Sequence, residues 1–519
     1  LYGSRAGNGV VLITTKTADK NQKMKVTFTN NTVSDIPTRF LNIQSQFASG
    51  FFSFRPEDVG GGILPTVSAA DGTGSGPELD RGYWAPQWQA PLDANGQPIP
   101  TELKSHPNNV GRFVRPGLTT TNSLAVTGSS DVINYRLGIS NMAHTGIIPN
   151  SDLNRNSYSL SASSNLNDKL TISTNVSLNN SWADNRPVGN RGANPLQWAY
   201  ATPANIDIRR LEDYWVPGKE GLEVRSLASN FENPYFLANE VNNSFDRYRI
   251  FGNVMAEWEV SPSFTLMGRY NLNKYDETRE TKMAPEYTRE PNHGAYGISY
   301  NTGLERNIDF LATYRKDFGK LDFSVSGGGN LMYQKDLVIS NSSLNGTGLV
   351  VPNLFTVGNI SPNSLNYSSA SREKSIQSLY GLANFGWNDM LYPDLTARND
   401  WSSTLPVENR SYFYPSASLS FLLSEVIKVQ KIDLLKLRAG WAQVGNDTNP
   451  YRLDQALSNS GQWGDAIQLN LPGNLLTSGL EPERSTSIEF GMDLTAFANR
   501  FRFEGTYYTQ DNRNQIIQN

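Results

Sequence analysis

Along most of the chain, apolar and polar residues alternate with a period of two. The clearest case runs from Leu170 to Trp182. Even positions carry Leu170, Ile172, Val176, Leu178 and Trp182, and odd positions carry Thr171, Ser173, Asn175, Ser177, Asn179 and Ser181. Successive side chains of a strand point to opposite faces, so this stretch predicts a strand with one apolar and one strongly polar face. The same pattern recurs in Ile133-Tyr135-Leu137-Ile139, Val254-Ala256-Trp258-Val260, Phe264-Leu266-Gly268-Tyr270-Leu272 and Leu321-Phe323-Val325. It continues in Leu379-Gly381-Ala383-Phe385-Trp387, Leu435-Leu437-Ala439-Trp441, Ile488-Phe490-Met492-Leu494 and Phe501-Phe503-Gly505-Tyr507. Roughly fifteen strands are expected between Met24 and Gln510, many of about ten residues or more, the length that crosses a bilayer when tilted.

The connections alternate too. Short ones fall at Gly128–Asp131, Asn167–Lys169, Ser261–Ser263, Lys316–Lys320, Asn388–Pro393 and Phe497–Arg500. Between them lie long ones at Asp35–Thr121, Ala183–Asp246, Asp276–Gly303, Lys335–Lys374 and Gly445–Arg484. A soluble β-sandwich also alternates, but tight turns at one rim and long loops at the other mark an antiparallel transmembrane β-barrel. The turns at 167–169 and 261–263 are then expected on the periplasmic rim and the 183–246 loop on the extracellular one. Trp182, Trp387 and Trp441, near strand ends, suit interfacial girdles.

Composition agrees with an all-β barrel. The chain has 519 residues, 18% charged and 11% aromatic, with 43 glycines and a mean hydropathy of -0.47. No run approaches the roughly 18 apolar residues of a membrane helix, while barrel strands average to neutral hydropathy. A net charge of -4 offers no basic stripe for nucleic acid. Cysteine is absent, which removes disulfides and thiolate metal sites. His106, His144 and His293 lack ligand spacing and read as loop residues, so no metal or cofactor is expected.

No catalytic constellation emerges. Glu257/Glu259 and Glu481/Glu483 superficially resemble paired glycosidase carboxylates, but residues two apart on a strand simply share a face. Gly327-Gly-Gly329 lacks a following helix and reads as strand glycines that permit close packing. Asp93-Ala-Asn-Gly96 reads as a hairpin-type turn. Binding residues are better sought in the long loops, which hold Tyr83, Trp84, Trp88, Trp198, Tyr200, Tyr214, Trp215, Tyr235 and Phe236. Aromatic faces there can stack on sugar rings, or pack the loops together. Trp84, Trp88, Trp198 and Trp215 are the candidate substrate contacts, expected to cluster at the outer mouth.

The first sixteen residues, Leu1-Tyr-Gly-Ser-Arg-Ala-Gly-Asn-Gly-Val-Val-Leu-Ile-Thr-Thr-Lys16, form a glycine-rich bend leading into a short apolar strand. This string resembles the closing segment of the plug in TonB-dependent outer-membrane transporters, in the form found in the SusC/RagA branch. Thr121-Asn-Ser-Leu-Ala-Val-Thr-Gly128, Asn399-Asp-Trp-Ser-Ser403, Leu437-Arg-Ala-Gly-Trp-Ala-Gln-Val-Gly-Asn446 and Leu480-Glu-Pro-Glu-Arg-Ser-Thr-Ser-Ile-Glu-Phe-Gly491 are similar to the barrel of that branch. The resemblance implies a plug tail at residues 1–17, a link at 18–23 and barrel from 24 to 519. In the 22-stranded type, this would be a piece lacking the TonB box, most of the plug and the last strands, with unpaired wall edges. It further implies TonB-driven import of oligosaccharides or peptides across the bacterial outer membrane, energised by TonB-ExbB-ExbD, with a SusD-like lipoprotein as lid. A siderophore or cobalamin receptor and a non-transporting surface receptor are the alternatives. Arg5, inside the barrel, would need an acceptor. Glu257, Glu259, Glu489 and Asp493 on the polar faces are the candidate wall anchors, against the simpler option that Arg5 donates to plug carbonyls.

Overall fold

A computed structural model describes residues 23–50, 63–64, 74–88, 90–187, 193–225, 231–287, 293–343, 348–453, 455–471, 473 and 476–516. The string at 1–16, with Arg5, lies outside these residues. Among the described residues one antiparallel sheet of fifteen strands dominates. Its members are β1 (Lys25–Asp35), β4 (Gly117–Ser129), β5 (Ile133–Thr145), β6 (Asp152–Asn167), β7 (Leu170–Ala183), β8 (Val241–Ser261), β9 (Phe264–Met283) and β10 (Ala295–Asp317). They continue with β11 (Leu321–Ser342), β12 (Asn366–Trp387), β13 (Leu391–Ser402), β14 (Ser411–Leu422), β15 (Ile432–Asn446), β18 (Glu483–Ala496) and β19 (Phe501–Arg513). Each strand pairs with its neighbours in sequence order, apart from the small hairpins β2 (Trp84–Ala85)–β3 (Thr101–Glu102) and β16 (Ser458–Trp463)–β17 (Ala466–Asn470) in the long connections. β1 and β19 are the edges and do not pair with each other.

Directly opposed residues of an antiparallel pair share a face, so the register sorts the wall into two surfaces. One cross-strand row reads Phe28–Leu124–Ile139–Tyr158–Leu178–Ile250. All six side chains are exposed, from 37% for Ile250 to 66% for Phe28, a degree of apolar exposure that water would not tolerate over a whole wall. The alternate positions are small and polar, as in the Ser123–Ser140 and Thr313–Ser326 hydroxyl pairs, 2.9 Å each. Towards the loop end the apolar face stops at an asparagine row, Asn30–Asn122–Asn141–Asn156–Asn180, in register across five strands. Asn30 donates to Asn122 and Asn141 to Asn156, both at 2.8 Å. This amide row marks where the apolar band ends.

The turns at 168–169 and 262–263 lie at one rim, and the 184–240 connection at the other, as the sequence pattern predicts. Register shifts at Asn165/Asn167, Glu259/Ser261 and Ile432/Leu434 all sit beside the short-turn rim, where an extra residue lets a strand bend into its turn. Several expected loop limits were too wide. β9 continues to Met283, β10 begins at Ala295, β11 reaches Ser342 and β12 begins at Asn366. The outer half of β9 carries charge on both faces, with Lys274, Glu277, Arg279 and Glu280, which erases the alternation while the ladder continues. His144 also departs from expectation. It sits within β5, its Nδ1 2.8 Å from the Thr119 hydroxyl.

Adjacent positions on β7 test the two-faced wall. Val176→Lys puts a charge on the apolar face and is expected to cost about 2–4 kcal/mol in bilayer. Ser177→Lys on the polar face is expected to cost well under 1 kcal/mol. Equal losses in a lipid-vesicle unfolding titration would contradict the assignment of faces.

Candidate functional site

Beyond the loop rim, the described parts of the connections 36–116 and 184–240 fold together into a cap over the end of the polar face. Two Asn-Pro pairs start its short helices. Asn194 and Asn233 cap α2 (Pro195–Ala201) and α3 (Pro234–Glu240), each side-chain oxygen accepting from two backbone N–H groups, and proline at the first position needs no partner. With α1 (Asn109–Phe113), these helices bury Phe113, Ile206, Ile208, Leu211, Phe236 and Leu237 against Val241, Met283 and Ala295 at the strand ends. A second cluster, with Leu79, Ala85 and Leu103, roots the β2–β3 hairpin. The Asp93–Gly96 turn closes as expected, Asp93 N–H donating to the Gln97 carbonyl at 2.8 Å.

Buried carboxamides stitch the two connections together. Asn109 donates to the Ile206 carbonyl at 2.8 Å and accepts from Ile208 N–H. Asn205 accepts from Ser49 N–H at 3.0 Å and donates to Gln87 Oε1 at 3.2 Å. Asn185 donates to the Ala238 carbonyl and accepts from Asn243 N–H, which ties the cap to β8. Each such group can satisfy a donor and an acceptor of irregular backbone at once, which a buried loop requires. Sequence reading missed this cap. The Asn-Pro pairs were its legible signal.

Three of the four candidate tryptophans come together here. Trp88, Trp198 and Trp215 are partly buried against the helical cluster. Trp198 stacks edge-on to Phe231 at 5.3 Å, Trp215 to Phe236 at 5.7 Å, and the Arg225 guanidinium lies 4.9 Å over Trp88. Much of their area is spent on cap packing. Trp84 stands apart on β2, half exposed. A polar cavity of about 120 Å³ opens in the cap between Gln44, His106, Asn109, Tyr200 and Thr202. Burial pushes the His106 imidazole below its usual pKa, favouring the neutral ring. Asp207, beneath it, is held down to about 2 by the Arg209 guanidinium, 2.5 Å away.

Below the cap, ion pairs cross the polar face. Arg269 meets Asp309 at 3.1 Å, and Asn271 and Asn330 donate to the same carboxylate. Arg398 meets the fully buried Asp400 at 2.7 Å, and Tyr414 also donates to that carboxylate. Lys374 and Ser402 hold Asp447, fixing the start of the β15–β18 connection against the wall. Of the candidate anchors, Asp493 is engaged by Arg438 at 2.9 Å. Glu257, Glu259 and Glu489 are exposed and form no ion pair among the described residues. Among these residues there is also no cluster of metal-ligating groups.

A meandering antiparallel wall with one apolar and one ion-paired face and a folded loop cap is the architecture of a large outer-membrane β-barrel. The chain belongs to the TonB dependent receptor-like β-barrel family, whose description matches residues 97–519. It is 24% identical to TonB-dependent receptor P3 of Formosa agariphila, over 98% of this chain and 47% of the relative. To TonB-dependent receptor SusC of Bacteroides thetaiotaomicron it is 22% identical, over 86% of this chain and 42% of that protein. The chain thus spans about half the length of the curated relatives it matches. Among solved structures it is similar to the RagAB peptide transporter, with a TM-score of 0.73 at 19% identity, over 98% of this chain and 57% of that one.

The pairing at Asp207 predicts an acid limit for the cap. The carboxyl is lowered from 3.8 to about 2 on folding, so its contribution is complete above about pH 4 and lost as pH falls towards 2. Allowing for the exposure of Arg209, that contribution is about 1 kcal/mol. Proteolysis of the cap between pH 5 and 2 should accelerate as pH falls, and Asp207→Asn should flatten the profile. An unchanged profile would contradict the pairing.

Proposed function

We propose that this chain supplies much of the wall and the outer cap of a TonB-energised importer that takes oligosaccharides or peptides across the bacterial outer membrane, with a SusD-like lipoprotein seated on the cap as lid. The reading is carried by the cap. A loop platform of this size, with its own buried cores over the end of a polar lumen, is built to receive a partner or a bulky ligand. The kinship with SusC and the likeness to RagAB support the lipoprotein and the substrate class. The sugar- or peptide-contacting role fits Trp84 best, because its ring is not consumed by packing. Trp88, Trp198 and Trp215 would present only their remaining faces.

The plug contact follows from the same reading. Arg5, in the string resembling a plug tail, needs an acceptor inside the lumen, and Glu257, Glu259 and Glu489 are wall carboxylates with no ion pair among the described residues. Such a pair would hold the plug at rest and yield under TonB pull. Asp493 is the weaker candidate because Arg438 already engages it.

Uptake by cells expressing the full-length protein as sole importer tests this reading. Growth on labelled oligosaccharides or peptides should require the protein and an intact TonB system. Trp84→Ala should weaken binding about tenfold, the scale of one lost aromatic contact, with folding intact. Arg5→Ala should raise plug mobility. Uptake of iron chelates or cobalamin instead would favour the receptor alternative, and binding without TonB-dependent uptake would favour a non-transporting receptor.

A further inference from the structure

The apolar face between β10 and β13 contains a feature that spanning a membrane does not require. Successive cross-strand rows, from the short-turn side outwards, read Leu266–Ala312–Gly327–Gly381–Ala397, then Gly268–Phe310–Gly329–Leu379–Asn399, then Tyr270–Ile308–Leu331–Gln377–Trp401. Glycines thus occupy three neighbouring positions, Gly327, Gly329 and Gly381, where this face otherwise carries bulky side chains, and Gly268 lies across Phe310 from Gly329. A Cβ at Gly327 would meet no atom within 4 Å, and one at Gly268 likewise. Neither residue has positive φ. Gly328 differs, because a Cβ there would run into the Phe310 carbonyl oxygen at 2.4 Å on the opposite face. Close packing therefore accounts for Gly328 but not for Gly327. Omitting side chains from a strand weakens it, so unforced glycines point to something else approaching the backbone.

The result is a trough of about 920 Å³. Ile308, Phe310 and Leu331 wall one side and Leu379 and Trp401 the other. Its outer end changes character, to Ser375, Gln377, Ser403 and Arg410. The 403–410 segment is held there by Ser403 N–H donating to the Ser375 carbonyl at 2.9 Å. One row further out, opposite Tyr333 and next along from Ser375, is Arg306, its guanidinium 4.7 Å over the Tyr333 ring. Nearby carboxylates are already taken. Glu373 accepts from Lys335 at 2.7 Å and Tyr333 at 3.1 Å, and Asp276 pairs with Lys274 at 3.0 Å. Among the described residues neither Arg306 nor Arg410 has a carboxylate partner. An apolar trough that ends in two unmatched guanidiniums at the loop side is complementary to an acyl chain carrying a phosphate.

We infer that this trough seats one phosphorylated, acylated lipid of the outer leaflet, with an acyl chain lying over Gly327 and Gly329 and the phosphate held by Arg410 and Arg306. The inference rests on the outer-membrane reading above. The seated lipid would cover the part of the wall that lacks side chains and brace the short 403–410 loop, which in turn abuts Asp447 through Ser402 and Thr404.

The test uses the full-length protein in phosphatidylethanolamine nanodiscs doped with diphosphoryl lipid A or its dephosphorylated form, with retained lipid counted by native mass spectrometry. The wild type should keep one phosphorylated lipid per chain and much less of the dephosphorylated form. Arg410→Gln should reduce retention of the phosphorylated lipid about tenfold and leave the other unchanged. Gly327→Leu, for which the backbone has room, should reduce both while heat-modified gel mobility stays that of the wild type. Equal retention of the two lipids, or no effect of either variant, would overturn the seat, as would a second copy of the chain found bound there instead. Failure of the chain to insert at all would contradict the outer-membrane reading, whereas insertion without phosphate-dependent retention contradicts the lipid seat alone.

Discussion

The constraint on which everything else depends is that backbone N–H and C=O groups in a hydrocarbon layer must find partners within the protein. A sheet meets it only through a continuous ladder, and here the ladder runs from β1 to β19 across fifteen strands, with register shifts only beside the short-turn rim. Once strands are fixed that way, side chains alternate strictly between lipid and lumen. The rest follows as consequence. Apolar residues such as Leu178 and Ile139 are free to be exposed because lipid is their solvent, and ionisable residues such as Arg269, Asp309, Arg398 and Asp400 collect on the other face. There, hydrogen bonds and opposite charges compensate their burial.

Outside the lipid the constraint relaxes, and the chain uses different chemistry. The cap has few strands, so its backbone is satisfied piecemeal: Asn109, Asn185 and Asn233 each reach a backbone carbonyl and a backbone amide, and Asn205 links Ser49 N–H to the Gln87 side chain. Aromatic rings fill the space between. This division explains why the same protein reads as regular below the rim and irregular above it.

Legibility in the sequence follows the same line. The wall is readable because lipid imposes period two, so the strands follow from alternation and the turn and loop rims from the lengths of the connections; Trp182 and Trp387 lie near strand ends as expected, whereas Trp441 lies within β15. Where strands leave the lipid the signal fades. The outer half of β9 carries charge on both faces, so the strand runs further than its alternation shows. The cap was not legible as a folded unit, since its contacts join residues such as Ser49 and Asn205, far apart in sequence. The candidate tryptophans lie in the loop connections as the sequence places them, but alternation and composition do not tell a packing ring such as Trp198 from an exposed one such as Trp84. Gly327 was read as a packing glycine, and only the geometry distinguishes it from Gly328.

The central claim is that the wall presents lipid on one face and water on the other. Because the chain has no cysteine, single cysteines can be introduced at successive positions from Leu170 to Trp182 without background. Spin labels at these positions in reconstituted bilayers report collisions with oxygen, which concentrates in lipid, and with a water-soluble nickel complex. The account predicts strict alternation, with oxygen favoured at 172, 174, 176 and 178 and nickel at 171, 173, 175 and 177. Accessibility without a period of two, or with the two faces reversed, would contradict it.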